Sequence, residues 1–234
     1  MSLRKQRTVR AFASLTLIFL GIELLDELVG GVLIGAWPSI VRDFNLSYGQ
    51  VGLVMTLPNV IASLIEPIFG IWGDIGSRRP LILAGGTGFA IPLCLIAISP
   101  SYGWFLVGVI LFSPASGSFV NLCQATMMDL DPTRHEQAMV RWELAGSIGM
   151  VLGPVILTAA VAMNSSWRGV FVVLSVATTV LLVLLGQYAQ LGARPAPEQP
   201  TGFNAGVGNA IAALKRPSVL RWLILLQCSD LMLD

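Results

Sequence analysis

Six long apolar stretches separated by short polar breaks dominate the chain. They occupy residues 11–36, 49–72, 80–99, 103–128, 139–163 and 168–191. Because about 20 mostly apolar residues cross the hydrocarbon core of a bilayer, each stretch is predicted to be a transmembrane helix. A seventh apolar run begins near Val219 and has only reached Asp234 when the sequence stops, so we expect the chain to end inside a helix. The pattern predicts an all-α integral membrane protein with six complete spans and a truncated seventh.

The composition agrees with this pattern and excludes several functions. Of the 234 residues, 55% are hydrophobic and 12% charged, and the mean hydropathy is +0.77. A water-soluble core cannot absorb that apolar content, so much of it is expected to face lipid. The net charge of +1 argues against nucleic acid as a partner. Three cysteines at unrelated spacings and the single His135 indicate neither a disulfide framework nor a metal site. No nucleophile and base pair or cofactor loop is visible, so we expect neither an enzyme nor a cofactor.

The basic residues predict the orientation in the membrane. If the N-terminus is cytoplasmic, twelve of the fourteen lysines and arginines fall in cytoplasmic segments, and only Arg42 and Arg168 fall outside. We therefore expect a multi-pass protein of the plasma membrane with a cytoplasmic N-terminus. Residues 1–191 would form a six-helix bundle, and the Pro- and Gly-rich residues 192–217 a cytoplasmic linker with a short surface helix. Residues 218–234 would begin a second bundle.

The turn between the second and third stretches has a recognisable sequence, GIWGDIGSRRP from Gly70 to Pro80. It resembles the signature loop of the major facilitator superfamily: a Gly, an Asp four residues later, then a Gly and paired basic residues. The resemblance covers essentially the whole chain. It implies the N-terminal half of a secondary transporter, to be completed by a C-terminal six-helix half. Two residues depart from the family's loop: Ile75 replaces a basic residue, and Ser77 occupies the second glycine position.

In that family the charges of this loop close the outward-facing state on the cytoplasmic side. The resemblance implies the same gate role for Asp74, Arg78 and Arg79, with Asp129 at the end of the fourth stretch as the partner of one arginine. Glu66, about one turn before the loop, is expected near this gate. The alternative is a positive-inside loop with an incidental Asp.

Several small residues predict close helix packing. By resemblance, Gly70 lets the second and third helices approach. Gly146, Gly149 and Gly153 share one face of the fifth helix, so a neighbouring backbone can pack closely there. With Pro154 they resemble the core of a motif found in the superfamily's antiporters. Small-residue packing is common in membrane helices, so this pattern favours antiport only slightly over plain close packing.

The main chemical signal is a set of three acids in the first stretch, Glu23, Asp26 and Glu27, which share one helical face. Each charged carboxylate near the bilayer centre costs at least roughly 2.5 kcal/mol. No Arg or Lys lies in the core of the six stretches, and Ser113 stands where the family has an arginine in the fourth helix. The acids must therefore line a water-filled cavity, hold protons or bind a cation. Asp230 in the seventh run aligns with Asp26 and is expected at the same cavity.

These observations predict secondary active transport by alternating access, with protons and a small molecule or cation as partners. The preferred version is proton-coupled efflux of a small cationic or lipophilic molecule. A divalent metal-cation exporter of the same fold is one alternative, because carboxylates suit hard cations. A non-transporting receptor or regulatory fragment is the other.

Overall fold

The structure, a computed structural model, describes residues 3–130, 133–188, 203–221, 224–225 and 228. The described residues form helices joined by short turns, with no strand among them. The helices are α1 (Leu3–Phe44), α2 (Tyr48–Ile75), α3 (Arg78–Ile98), α4 (Tyr102–Leu130), α5 (His135–Ala162), α6 (Trp167–Gly186) and α7 (Phe203–Leu214). This confirms the all-α fold class.

By length and composition, five helices, α2 to α6, are suited to cross a membrane. The first helix is longer, at 42 residues, but its three central acids interrupt its apolar stretch. Helix α1 extends beyond the predicted range, residues 11–36, at both ends. Helix α6 ends at Gly186, before the predicted end at residue 191. A short helix in residues 192–217 was expected over residues 210–216, and the structure has one there, α7, which begins earlier, at Phe203.

Short-range chemistry explains the sharp turn between α1 and α2. Asn45 has a φ of 48°, a left-handed conformation that Asn tolerates and that ends α1. Ser47 then caps α2: its hydroxyl accepts from the Gln50 N–H at 3.4 Å, and the Gln50 side chain accepts from the Ser47 N–H at 2.9 Å. This reciprocal pair satisfies N–H groups that the first helical turn would leave unpaired.

The helices pack as a bundle in which α1 lies between α4, α5 and α6. Helices α1 and α5 run parallel, since Gly149 meets Leu24 and Gly153 meets Gly31. Helix α4 packs on α2 and α3, and α3 also packs on α6. Five phenylalanines are fully buried between the helices: Phe19, Phe89, Phe105, Phe119 and Phe171.

The bundle has two ends. We call the end where α1, α3 and α5 begin the N-terminal face. At the opposite face the Trp167 indole N–H donates to Asp43 at 2.8 Å. Arg168 donates to the Ser99 carbonyl at 2.7 Å and lies 5.1 Å from the centre of the Phe44 ring. These contacts tie the ends of α1 and α3 to the start of α6.

Candidate functional site: carboxylates at the centre of the bundle

The three acids of α1 lie in the interior of the bundle, where they contact two different helices. The Glu23 side chain is buried, and Asp26 and Glu27 are partly buried. Ser116, midway along α4, donates its hydroxyl to Asp26 Oδ1 at 2.5 Å. Because α1 lies between α4 and α5, the acids of its one polar face meet different neighbours. Asp26 lies towards α4, and Glu23 and Glu27 lie towards α5.

On the α5 side, Glu23 and Glu27 pack against Gly146. A Cβ at position 146 would stand 2.6 Å from Glu23 Oε1 and 3.2 Å from Glu27 Cγ, so glycine is what admits both carboxylates. Glu143, an exposed acid one turn earlier on α5, would repel both when ionised. Glu143 was not predicted to belong to the site. Its position three residues before Gly146, on the same helical face, could have indicated it.

On the α4 side, Glu66 of α2 joins Asp26. Expected near the cytoplasmic gate, Glu66 instead lies against Gly117 in the middle of α4, where a Cβ would overlap its Oε1 atom. When both are ionised, Glu66 and Asp26 would repel each other. The parallel packing of α2 and α4 explains this correction, since it places Glu66 level with Gly117, about 18 Å along α4 from Asp129.

In the described part of the chain, no basic side chain pairs with any of these five acids, because both ion pairs there belong to Arg78. No three His, Cys, Asp or Glu side chains among the described residues are placed to hold one metal ion. The arrangement is suited to exchanging protons or attracting a cation, since uncompensated carboxylates at this depth are costly.

A mostly apolar cavity of about 670 Å³ lies beyond the acids, towards the opposite face. Helices α1, α2 and α4 line it with Leu33, Trp37, Asn59, Phe112 and Ser113 among others. On α1, Leu33 follows Asp26 by seven residues, or about 10 Å of helix. None of the acids lines this cavity, which begins about two helical turns beyond Asp26.

The predicted gate residues lie at the N-terminal face, but they are not all joined. Arg78 is buried and pairs with Asp129 at 2.6 Å and with the exposed Asp74 at 3.3 Å. Arg79, expected in the same network, instead donates to the Gly186 carbonyl of α6 at 2.9 Å. The second arginine thus contacts the C-terminal end of a helix, where a cation is favourable.

The glycines differ in their surroundings. A Cβ at Gly149 would overlap the Leu24 carbonyl oxygen, and one at Gly153 would stand 2.6 Å from Gly31 C, so both lie at the contact of α1 and α5. Gly70 has no described atom within 4 Å of its Cβ position, contrary to its expected packing role. Gly73, one turn later, is the glycine that packs, since a Cβ there would overlap Leu122 Cδ2.

Two further sequence predictions concern Pro154 and Asp230. Pro154 packs on α1 beside its glycines, with its Cδ 3.2 Å from where a Gly31 Cβ would stand. Asp230 lies outside the described residues.

The departure at Ile75 has a structural counterpart. Its Cδ1 atom lies 3.5 Å from where a Cβ of Gly206 would stand, and the Phe203 ring lies 6.3 Å from that of Trp72. An apolar residue at position 75 therefore serves as a contact for α7.

The fold and the acidic centre define the class of protein: a multi-pass membrane bundle of the kind found in transporters. The family model described as Major Facilitator Superfamily matches residues 17–232. The chain belongs to this superfamily.

Curated relatives and a solved structure agree with this assignment. The chain is 26% identical over 169 residues to the fosmidomycin resistance protein of Escherichia coli K12, covering 72% of the chain and 41% of that protein. It is 32% identical over 193 residues to the multidrug efflux pump LfrA of Mycolicibacterium smegmatis, covering 81% and 36%. A bacterial homologue of the human lysosomal transporter Spinster, solved inward-facing and unoccupied, superposes with a TM-score of 0.66 at 17% identity, covering 82% of this chain and 46% of that one. The chain thus spans less than half the length of these proteins.

Proposed function

We propose that this chain forms the N-terminal half of a secondary transporter that exchanges protons for a small cationic or lipophilic molecule and exports it by alternating access. The observation that supports this most is the group of five acids, from α1, α2 and α5, without a basic partner among the described residues. Carboxylates in such a place gain from a proton or a cation, and each can replace the other.

The cavity beyond the acids supports the substrate class. A molecule with one cationic end and an apolar body would place its charge among the acids and its body against Trp37 and Phe112. The matched relatives named for drug resistance and multidrug efflux favour export.

The orientation is part of the proposal. With twelve of its fourteen basic residues on the N-terminal side of the membrane, the N-terminal face would be cytoplasmic, in the plasma membrane. The Arg78 ion pairs with Asp129 and Asp74 would then close the cytoplasmic end in one state and separate in the other.

The test is substrate-driven proton movement by the full-length protein in liposomes with a pH-sensitive dye inside and ethidium as the cationic probe. We expect ethidium to drive proton movement, and Asp26→Asn and Glu23→Gln to abolish it. Glu136→Gln is the matched control, because Glu136 is an exposed acid in the first turn of α5. Wild-type proton movement in both Asp26→Asn and Glu23→Gln would disprove the coupling role.

The same assay separates the alternatives. Proton movement driven by manganese, with no response to ethidium, would indicate the metal exporter, although the described acids offer no three-ligand site. No flux of any probe would indicate a non-transporting receptor.

A further inference from the structure

Two consecutive residues at the middle of α4 contact acids from two other helices. Ser116 donates its hydroxyl to Asp26 Oδ1 of α1 at 2.5 Å. The next residue, Gly117, leaves the space that the Glu66 carboxylate of α2 occupies. Helix α4 therefore contacts an acid of α1 and an acid of α2 at two consecutive positions.

The Ser116 hydrogen bond differs from those of the other helix hydroxyls in its partner, a carboxylate. Ser175 of α6 also bonds between helices, but to a backbone carbonyl, that of Ala90. Hydroxyls in membrane helices commonly bond the carbonyl four residues earlier in their own helix. Ser118 does so, to Pro114 at 2.7 Å, and Thr126 and Thr178 do the same in α4 and α6. Ser116 instead uses its hydroxyl between helices, on a carboxylate, so its role differs from that of the neighbouring hydroxyls.

We propose that Ser116 and Gly117 position Asp26 and Glu66 as one proton-exchanging pair, with Ser116 acting as a neutral donor where a fixed cation would otherwise be needed. This deepens the proposed function and rests on it. A hydroxyl donates to an ionised carboxylate and accepts from a protonated one, so it serves both states. An arginine would hold the carboxylate ionised and oppose proton uptake.

The charges around the pair make this donor important. The charged groups that face Asp26 and its neighbours are acids: Glu23 and Glu27 on α1, Glu66 on α2 and Glu143 on α5. Helices α4 and α6 have their only charged residues at their ends, Asp129 and Arg168. Among the described residues, Ser116 is thus the group that stabilises an ionised Asp26.

In the exchange cycle, one proton leaves the pair to water on one side as the cationic substrate enters. One proton returns from the other side after the substrate leaves. Glu66 lies directly before Pro67, which frees a carbonyl in α2 and favours a bend at this point. A movement of α2 would therefore change the distance between the two carboxylates.

The experiment measures the pH dependence of ethidium-driven exchange by the full-length protein in liposomes. Ser116→Ala removes the donor and should move the midpoint of the pH profile upward by about one to two units, because the ionised carboxylate loses one hydrogen bond. Ser116→Thr keeps a hydroxyl and should restore the wild-type midpoint. Ser118→Ala, which removes a hydroxyl bonded within α4, should leave it unchanged.

Two further variants test the second half of the pair. Glu66→Gln removes the charge with little change in volume and should lower exchange at the optimum at least tenfold. Gly117→Ala places a Cβ where Glu66 lies and should lower it similarly. A monodisperse elution profile establishes that each variant is folded.

The outcomes distinguish this proposal from the broader one. A wild-type midpoint in Ser116→Ala, or wild-type exchange in Glu66→Gln, would overturn the pair while leaving coupling by α1 in place. Unchanged proton movement in both Asp26→Asn and Glu23→Gln would instead remove the proposed function itself.

Discussion

The contact between α1 and α5 makes a quantitative prediction for Gly153→Ala. The new Cβ would stand 2.6 Å from Gly31 C and from Val32 N. Carbon atoms pack best at about 3.5–4.0 Å, so the helices would have to separate by about 1 Å. The obstructing atoms belong to the backbone and cannot turn aside. Overpacking of this kind costs about 1–3 kcal/mol, and the better helix propensity of alanine returns about 1 kcal/mol.

Subtracting the propensity gain from the overpacking cost, we expect Gly153→Ala to lower the free energy of unfolding by up to about 2 kcal/mol, measured by denaturant unfolding of the purified full-length protein in detergent. Gly103→Ala in α4 is the matched control, because its Cβ would meet no described atom within 4 Å. It should be neutral or slightly stabilising. Equal stability of the two variants would refute the close contact of α1 and α5.

Two other predictions concern the ends of the bundle. Arg78→Gln should destabilise the protein by about 1–3 kcal/mol, since it removes a buried cation from Asp129, whereas Arg79→Gln should cost less than about 1 kcal/mol. Equal unfolding midpoints for these two would contradict the assignment of the ion pairs to Arg78. At the opposite face, Trp167→Phe keeps an aromatic side chain but loses the pyrrole ring and its hydrogen bond to Asp43, and the loss of that bond costs about 1–2 kcal/mol. If Trp167→Phe unfolds at the wild-type denaturant concentration, this bond adds nothing to stability.

Much of the fold was predictable because membrane spans have a strong sequence signal. Six apolar stretches of span length gave six helices, and the turn signals placed most boundaries within a few residues. The ends of α1 were not predictable in this way. This helix continues past Pro38 to Phe44 because its last turns pack on Phe105 and Trp167, a tertiary contact that local hydrophobicity does not indicate.

The candidate site was predictable only within one helix. Helical periodicity correctly placed Glu23, Asp26 and Glu27 on a common inward face, but it contains no information about which helix each would meet. Glu66 and Glu143 come level with them because α2 runs parallel to α4 and α5 runs parallel to α1. Those registers are set by glycine contacts between helices, which a single sequence does not disclose.

The division of the acids between two neighbours has a mechanical consequence. Asp26 is held on α4 by a hydrogen bond, whereas Glu23 and Glu27 only fit against Gly146 of α5. The glycine contact of α1 with α5 is between backbones and leaves little room for sliding, so these two helices should move as one body. A displacement of α1 and α5 relative to α4 would then separate Asp26 from Ser116 while keeping Glu23 and Glu27 in place. A movement of α1 relative to α4 would therefore change the protonation of Asp26, because it would break the hydrogen bond to Ser116. Protonation of Asp26 would in turn weaken that bond and favour the movement.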